Sequence, residues 1–158
     1  MESLYFYKVR KNAKMPHRAH IMDAGADLFY CTDPDYTHQL WGENGDIMIA
    51  AGESCWIPTG LKVDLPRGYM MEIKNKSGIA TKLRLLVGAC VVDAGYTGEI
   101  YVNLQNIGKT NQRIAPGQKI AQAVVIPIVT PDIWETPHDP AIRRTARGSG
   151  GFGSTGEF

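Results

Sequence analysis

The chain has almost no charge excess. Its 17 Lys and Arg against 16 Asp and Glu leave a formal net charge of +1 over 158 residues. A protein that holds a long nucleic acid by neutralising phosphates needs a basic surplus, so that partner class is excluded. A small anion is not, because it needs only a local pocket. Long apolar runs are also missing: the longest, Ile120–Val129, contains Gln122 and Pro127 and falls well short of the roughly 20 residues of a spanning helix. No membrane partner is expected. The first eleven residues mix charges with aromatics and form no signal-peptide core. Cysteine is scarce, and Cys31, Cys55 and Cys90 are odd in number and widely spaced. That pattern argues against a disulfide framework and for buried, reduced thiols in a cytoplasmic compartment. His17, His20, His38 and His138 make no metal-ligand spacing with the cysteines, so a structural zinc site is not expected. There is no internal repeat.

What is present is a β pattern. At this length a single domain buries roughly 70% of the unfolded chain's surface, and 44% hydrophobic residues is an ordinary content for one. Short stretches rich in valine, isoleucine and aromatics alternate with glycine and proline. They predict strands over Leu4–Val9, Ala26–Tyr30, Asp46–Ile49, Ser54–Pro58, Leu61–Leu65, Tyr69–Ile73, Leu85–Val87, Glu99–Asn106, Gln112–Ile114 and Lys119–Pro127. Strands at this spacing fit an all-β sandwich, jelly roll or closed barrel. Only Ser77–Arg84 reads as a helix, with Ser77 as its N-cap. The polar stretch Thr32–Gly45 reads as a surface loop. Prolines at 131, 137 and 140 make Thr130–Ala146 an extended arm, able to reach at most roughly 55 Å. The expected organisation is a barrel over residues 1–129, an arm over 130–146 and a glycine-rich, flexible lid over 147–158.

That last segment carries the densest chemistry. Arg147-Gly148-Ser149-Gly150-Gly151-Phe152-Gly153-Ser154-Thr155-Gly156 has too little apolar surface to fold alone. It nevertheless offers free backbone N–H groups, hydroxyls, a guanidinium and a stacking ring, which together suit a phosphate-and-base ligand. Gly148, Gly150 and Gly153 match a dinucleotide fingerprint by spacing. That fingerprint needs a preceding strand and a following helix, and only five residues follow Gly153, so the match is read as accidental. No lysine precedes Ser154, so a Walker loop fails as well.

Four other segments bear polar groups in telling places. Gly88 to Glu99 reads as an apolar strand ending in Asp93, a turn at Ala94-Gly95, and a return through Glu99-Ile100-Tyr101. Asp93 there is either a turn aspartate or, with Tyr96, part of a cavity wall. Lys74-Asn75-Lys76-Ser77-Gly78 puts cations before a helix start, where phosphate can bind. Gly117-Gln118-Lys119-Ile120-Ala121-Gln122 enters an apolar strand in which Gln122 is the odd residue. Ala24-Gly25-Ala26-Asp27-Leu28 places an aspartate in a strand that propensity disfavours.

Taken together, and in order, these five segments resemble the motifs of the homotrimeric dUTP pyrophosphatases (dUTPases), a likeness running from about Ala24 to Gly156. The resemblance implies a jelly-roll-like β-barrel that hydrolyses dUTP to dUMP and pyrophosphate with Mg²⁺. This reaction limits uracil incorporation into DNA and supplies dUMP for dTMP synthesis. It implies Asp93 as general base toward the water attacking the α-phosphorus, a role that suits a carboxylate. Tyr96 would pack under the deoxyribose, and Val91, Val92, Asp93 and the return strand near Tyr101 would read uracil through backbone groups. Lys76, Ser77 and Gly78 would hold phosphates, and Gln122 would position phosphates and water. Asp27 would act through waters on a Mg²⁺ held mainly by the triphosphate. From the lid, Phe152 would stack on uracil, Arg147 neutralise phosphate, and Gly153, Ser154 and Thr155 cradle the γ-phosphate. Three subunits would share each site.

The chain departs from the family pattern at Lys76, usually arginine, at Cys90, commonly glycine, at Gln118-Lys119, usually Asp-Arg, and in a longer Asp33–Asn44 stretch. The dCTP deaminases are similar in fold but place a catalytic glutamate on the strand after the turn. The corresponding residue here is Asn103, which cannot act as a base. A non-catalytic regulatory protein on the same scaffold is the other alternative, and retention of Asp93, Tyr96, Gln122 and the tail speaks against it.

Overall fold

The computed structural model describes residues 3–35, 40–41 and 44–137. Twelve strands and one short helix follow each other as β1 (Tyr5–Lys8), β2 (Ala26–Phe29), β3 (Leu40–Trp41), β4 (Asp46–Ile49), β5 (Ser54–Pro58), β6 (Leu61–Asp64), β7 (Tyr69–Lys74), α1 (Ser77–Leu83), β8 (Leu85–Val87), β9 (Val91–Asp93), β10 (Tyr101–Asn106), β11 (Gln112–Ile114) and β12 (Lys119–Pro127). Every pairing is antiparallel. The strands form four ladders, β2-β12-β7-β9, β5-β10-β8, β11-β4-β3 and β1-β6, whose inner faces meet in one core. This is the jelly-roll-like all-β architecture expected from the strand spacing.

Period-two alternation explains most of it. In β5, Cys55 and Ile57 point inward while Trp56 points out, and in β10 Val102, Leu104 and Asn106 point inward. Leu28, Ile47, Ile49, Ile57, Leu61, Met71, Leu104, Ile114 and Ile120, drawn from all four ladders, lose all contact with solvent. The longest strand, β12, lies between β2 and β7, so its continuous apolar run is covered on both edges. Asn106, which enters the core, is paired: it donates to the Ile49 carbonyl at 3.0 Å and to the Thr110 carbonyl at 2.9 Å. The Tyr30 hydroxyl donates to the Gly45 carbonyl at 2.6 Å, and burial, helped by the charge of Asp46, pushes its pKa up to about 12. Cys31 and Cys55 are buried, Cys90 is half-buried, and all three are free thiols.

All ten expected strands are present, with ends shifted by a residue or two. Two readings are corrected. The stretch expected to be loop contains β3, whose two residues pair with Ile47 and Asp46 at the end of β4. The N-cap of α1 is Lys76, not Ser77: Lys76 holds extended backbone (φ −95°, ψ 125°) with no side-chain cap, and Ser77 is already helical. The ammonium of Lys76 is drawn away to an aspartate described below. Beyond Pro127, residues 129–137 carry no regular structure, and Val129, Ile133 and Trp134 are exposed. The remainder of the expected arm and the whole expected lid, including Arg147, Phe152, Gly153, Ser154 and Thr155, lie outside the described residues.

The turn between β5 and β6 is a crowded junction. Gly60 sits there at φ +70°, where a Cβ would lie 2.7 Å from Ala13 Cβ and 2.7 Å from Cys31 Sγ. Gly60→Ala combines left-handed backbone strain with overpacking, an expected loss of roughly 2–4 kcal/mol. Urea unfolding should show the midpoint falling at an unchanged slope. A midpoint indistinguishable from the parent would contradict this reading of the turn.

Candidate active site

The Asp93 hairpin is assembled from outside itself. On one side β9 pairs with β7, setting Asp93 opposite Met70. On the other, the return segment is fastened to the β5–β6 turn: Ile100 N donates to the Leu61 carbonyl at 2.8 Å, and the Thr59 hydroxyl donates to the Ile100 carbonyl at 2.7 Å. Between them the turn closes with Tyr96 N on the Asp93 carbonyl at 3.0 Å. The Tyr96 ring folds back so that its hydroxyl donates to the Glu99 carbonyl at 2.8 Å. Gly98 makes this possible, since a Cβ there would fall 2.3 Å from the Tyr96 hydroxyl.

The hairpin walls a cavity of about 320 Å³ lined by Trp56, Val91, Asp93, Tyr96, Glu99 and Tyr101, among others. That volume is at the small end of ligand pockets and suits a nucleoside-sized body. Val92 is buried behind it, whereas Asp93 is exposed. Trp56 and Tyr101 pack ring on ring, centroids 5.7 Å apart. The Tyr101 hydroxyl is pushed above its ordinary pKa by burial and by the nearby charge of Glu99. Asn103, on the same strand as Tyr101, has its amide engaged by backbone: it donates to the Cys55 carbonyl at 3.4 Å and accepts from Ala89 N at 3.3 Å.

A second polar cluster is built where β2 meets β12. Register pairs Asp27 with Gln122, and Gln122 with Lys74 of β7. Asp27 is buried and receives two ammonium groups, Lys76 Nζ on Oδ1 at 2.6 Å and Lys119 Nζ on Oδ2 at 2.8 Å. Burial alone would raise its pKa, but the two lysines outweigh it and hold the carboxyl below its ordinary value. Gln122 donates to the Asn75 carbonyl at 2.9 Å. Gly25 lies directly under that amide, where a Cβ would come within 2.2 Å of Gln122 Oε1. Ser77 and Gly78 stand exposed at the start of α1 beside this cluster.

The structure therefore gathers the expected site residues into two groups. Asp93, Val91, Val92, Tyr96 and Tyr101 form one, and Asp27, Lys76, Ser77, Gly78 and Gln122 form the other. Along β7, Asp93 lies opposite Met70 and Gln122 opposite Lys74. Four residues along the strand and two strand spacings across give a separation of roughly 16 Å. No side-chain rotation closes such a gap. Lys119, Glu99 and Gly25, which the motifs contain without marking them as site residues, complete the two clusters. Among the described residues, no group of three His, Cys, Asp or Glu side chains is placed to hold a metal ion.

A nucleoside-sized cavity and a cationic cluster on one jelly-roll-like scaffold define a class suited to phosphorylated nucleosides. Comparison with known proteins narrows it. A family model described as dUTPase matches residues 42–156. A deoxyuridine 5'-triphosphate nucleotidohydrolase of Chlamydia trachomatis serovar D is 36% identical over 155 residues, 97% of this chain and 98% of that protein. The corresponding protein of Gloeothece citriformis is 38% identical over 151 residues, 94% of this chain and 93% of its own. Among solved structures, a mutant dUTPase of Staphylococcus bacteriophage 80alpha with dUpNHpp matches at a TM-score of 0.82 and 26% identity, covering 99% of both chains. A mutant dUTPase of phage phi11 of S. aureus, described with a structural Mg(II) ion, matches at a TM-score of 0.73 and 25% identity over 87% of this chain and 98% of its own. The chain belongs to the dUTPase family.

The lysine-held Asp27 has a pH signature. Its folded pKa is depressed below the ordinary 3.8, so its contribution is complete above that value and is lost as pH falls through the folded pKa. Asp27→Asn is expected to lower the melting temperature at neutral pH and to flatten its decline between about pH 5 and pH 2. Thermal melts across that range check it, and an unchanged acid slope would speak against the carboxylate as the titrating group.

Proposed function

We propose that the protein hydrolyses dUTP to dUMP and pyrophosphate in sites shared among three copies of the chain. The observation that carries this reading is the Asp93 hairpin: an exposed carboxylate at the end of a strand, beside a tyrosine ring parked over a glycine at the wall of a nucleoside-sized cavity. The family, the naming of relatives as deoxyuridine 5'-triphosphate nucleotidohydrolases and the dUpNHpp held by the phage enzyme support it. On this reading the reaction restrains uracil incorporation into DNA and supplies dUMP, in a reducing, cytoplasmic compartment.

Asp93 accepts a proton from water as the water oxygen bonds to the α-phosphorus. The bond from that phosphorus to the oxygen bridging the α- and β-phosphates breaks, and pyrophosphate leaves. Phosphoryl transfer asks for positioning and charge stabilisation, with no covalent help from the protein. Tyr96, held on the Glu99 carbonyl, packs under the deoxyribose and leaves no room for a 2′-hydroxyl. Backbone groups of Val91, Val92, Asp93 and Tyr101 read the uracil edge. Lys76, Ser77, Gly78 and Gln122 meet the phosphates. Arg147, Phe152, Gly153, Ser154 and Thr155 close over the nucleotide from a further copy.

The donor set fits Mg²⁺ as an ion carried in by the phosphates. Both oxygens of Asp27 already face ammonium groups, so this carboxylate is suited to act on the ion through water. When bound, the ion neutralises charge on the triphosphate and orients it.

The gap between the two clusters supports sharing between copies. A base roughly 16 Å from the phosphate-binding groups of its own chain needs those of another.

Pyrophosphate release measured with dUTP, dTTP, dCTP and UTP, with and without Mg²⁺, should be strong for dUTP with Mg²⁺ alone. Asp93→Asn should lower kcat by roughly 100-fold or more and leave nucleotide binding within a few-fold. Ammonia release from dCTP, or unimpaired turnover by the variant, would sink the proposal. A second test mixes two inactive variants, Asp93→Asn and Gln122→Ala, after dissociation and reassembly. Independent draws of each half-site predict recovery of roughly a quarter of the parent rate. No recovery in assembled mixtures would refute the shared site.

A further inference from the structure

Arg10 follows β1 at the far end of the chain from the hairpin, yet its guanidinium ends on Glu99. It grips that carboxylate with both Nη atoms, Nη1 donating to Oε2 at 2.9 Å and Nη2 to Oε1. Nη1 also donates to Asp33 Oδ2 at 2.9 Å. Glu99 Oε1 accepts in addition from Gly60 N at 2.7 Å. The three side chains are between 10% and 15% exposed, so this is no surface ion pair screened by solvent.

The position of this knot matters more than its strength. Glu99 is one of the residues that line the nucleoside cavity, and its carbonyl holds the Tyr96 hydroxyl. What fixes Glu99 therefore fixes Tyr96. Charge points the same way. Without the guanidinium, Glu99 and Asp33 would lose their cation beside Tyr101, at the edge of a cavity meant for a polyanion.

We infer that Arg10 is a positioning residue of the nucleoside cavity: through its fork on Glu99 it sets the Tyr96 turn and neutralises the cavity's acidic rim. This inference rests on the dUTP-hydrolysis reading for its kinetic consequence and on geometry alone for its effect on the hairpin. A bidentate fork is required for the first effect and only a positive charge for the second, so lysine and glutamine separate them.

The experiment compares the full chain with Arg10→Gln and Arg10→Lys, using dUTP and UTP as substrates and hydrogen exchange of the unliganded proteins as a second readout. Arg10→Gln is expected to raise KM for dUTP about 10-fold or more, as loss of a charged hydrogen-bond pair does, with kcat nearly unchanged. It should also narrow the preference for dUTP over UTP. Arg10→Lys should recover part of the KM and little of the selectivity. Backbone amides of Gly98–Tyr101 should exchange faster in Arg10→Gln. A smaller folded fraction alone would scale both substrates equally and leave their ratio untouched, and that outcome overturns the inference, as does unchanged exchange across Gly98–Tyr101. If the parent protein does not hydrolyse dUTP, the functional reading falls, while the exchange experiment still decides whether Arg10 holds the hairpin.

Discussion

Much of the molecule hangs on three consecutive residues, Thr59, Gly60 and Leu61. The end of β1 is tied here by Val9 N on the Gly60 carbonyl at 2.8 Å, and the segment after β2 by Cys31 N on the Pro58 carbonyl at 2.9 Å. The hairpin return is bound through Ile100 to Thr59 and Leu61, and Glu99 reaches Gly60 N. Three parts of the chain distant in sequence thus meet at this turn and the Pro58 that precedes it. The turn can be this crowded because Gly60 has no Cβ and accepts positive φ. A wall that reads a base through backbone groups has to be held to a fraction of an ångström. The rigidity comes from this junction and not from the hairpin, whose β9 is only three residues long.

The sheet that carries β9 keeps the hairpin apart from the cationic cluster. Strand β7 runs between them and pairs with both β9 and β12, so their separation is fixed by strand spacing. This has a chemical consequence. Asp93 is in no ion pair among the described residues, while Asp27 holds two lysines. A base placed beside Lys76 and Lys119 in the free chain would be neutralised by them before any substrate arrived. On the proposed shared-site reading, base and cations stand on different copies, and the nucleotide is what brings them together, its phosphates taking up the positive charge.

The strands were legible because alternation and glycine or proline punctuation are local signals. Strand β3 was not, since two residues carry no period and pair only because the end of β4 is available to them. The helix start was misread as well. Ser77 has the right chemistry for a cap, but its backbone is already helical and the extended residue before the helix is Lys76. Chemistry-bearing residues stood out singly, as Asp27 did in a strand and Gln122 in an apolar run. Their partners did not, because pairing is decided by topology. Gly25 and Gly98 show the limit most clearly. Both lie in recognisable motifs, yet what they supply is room for Gln122 and for Tyr96, which no spacing rule reveals.

Topology also gives a reason for two departures from the family pattern that the sequence presents as unrelated. Lys76 and Lys119 both stand where the family usually has arginine, and in the fold both end on Asp27, one on each oxygen. An arginine at either position would favour a planar, two-point grip on the carboxylate, leaving the other cation without an acceptor. Two lysines divide the carboxylate evenly because each is a point charge needing one oxygen. The paired replacement preserves the charge of the cluster, with one ammonium on each oxygen of Asp27.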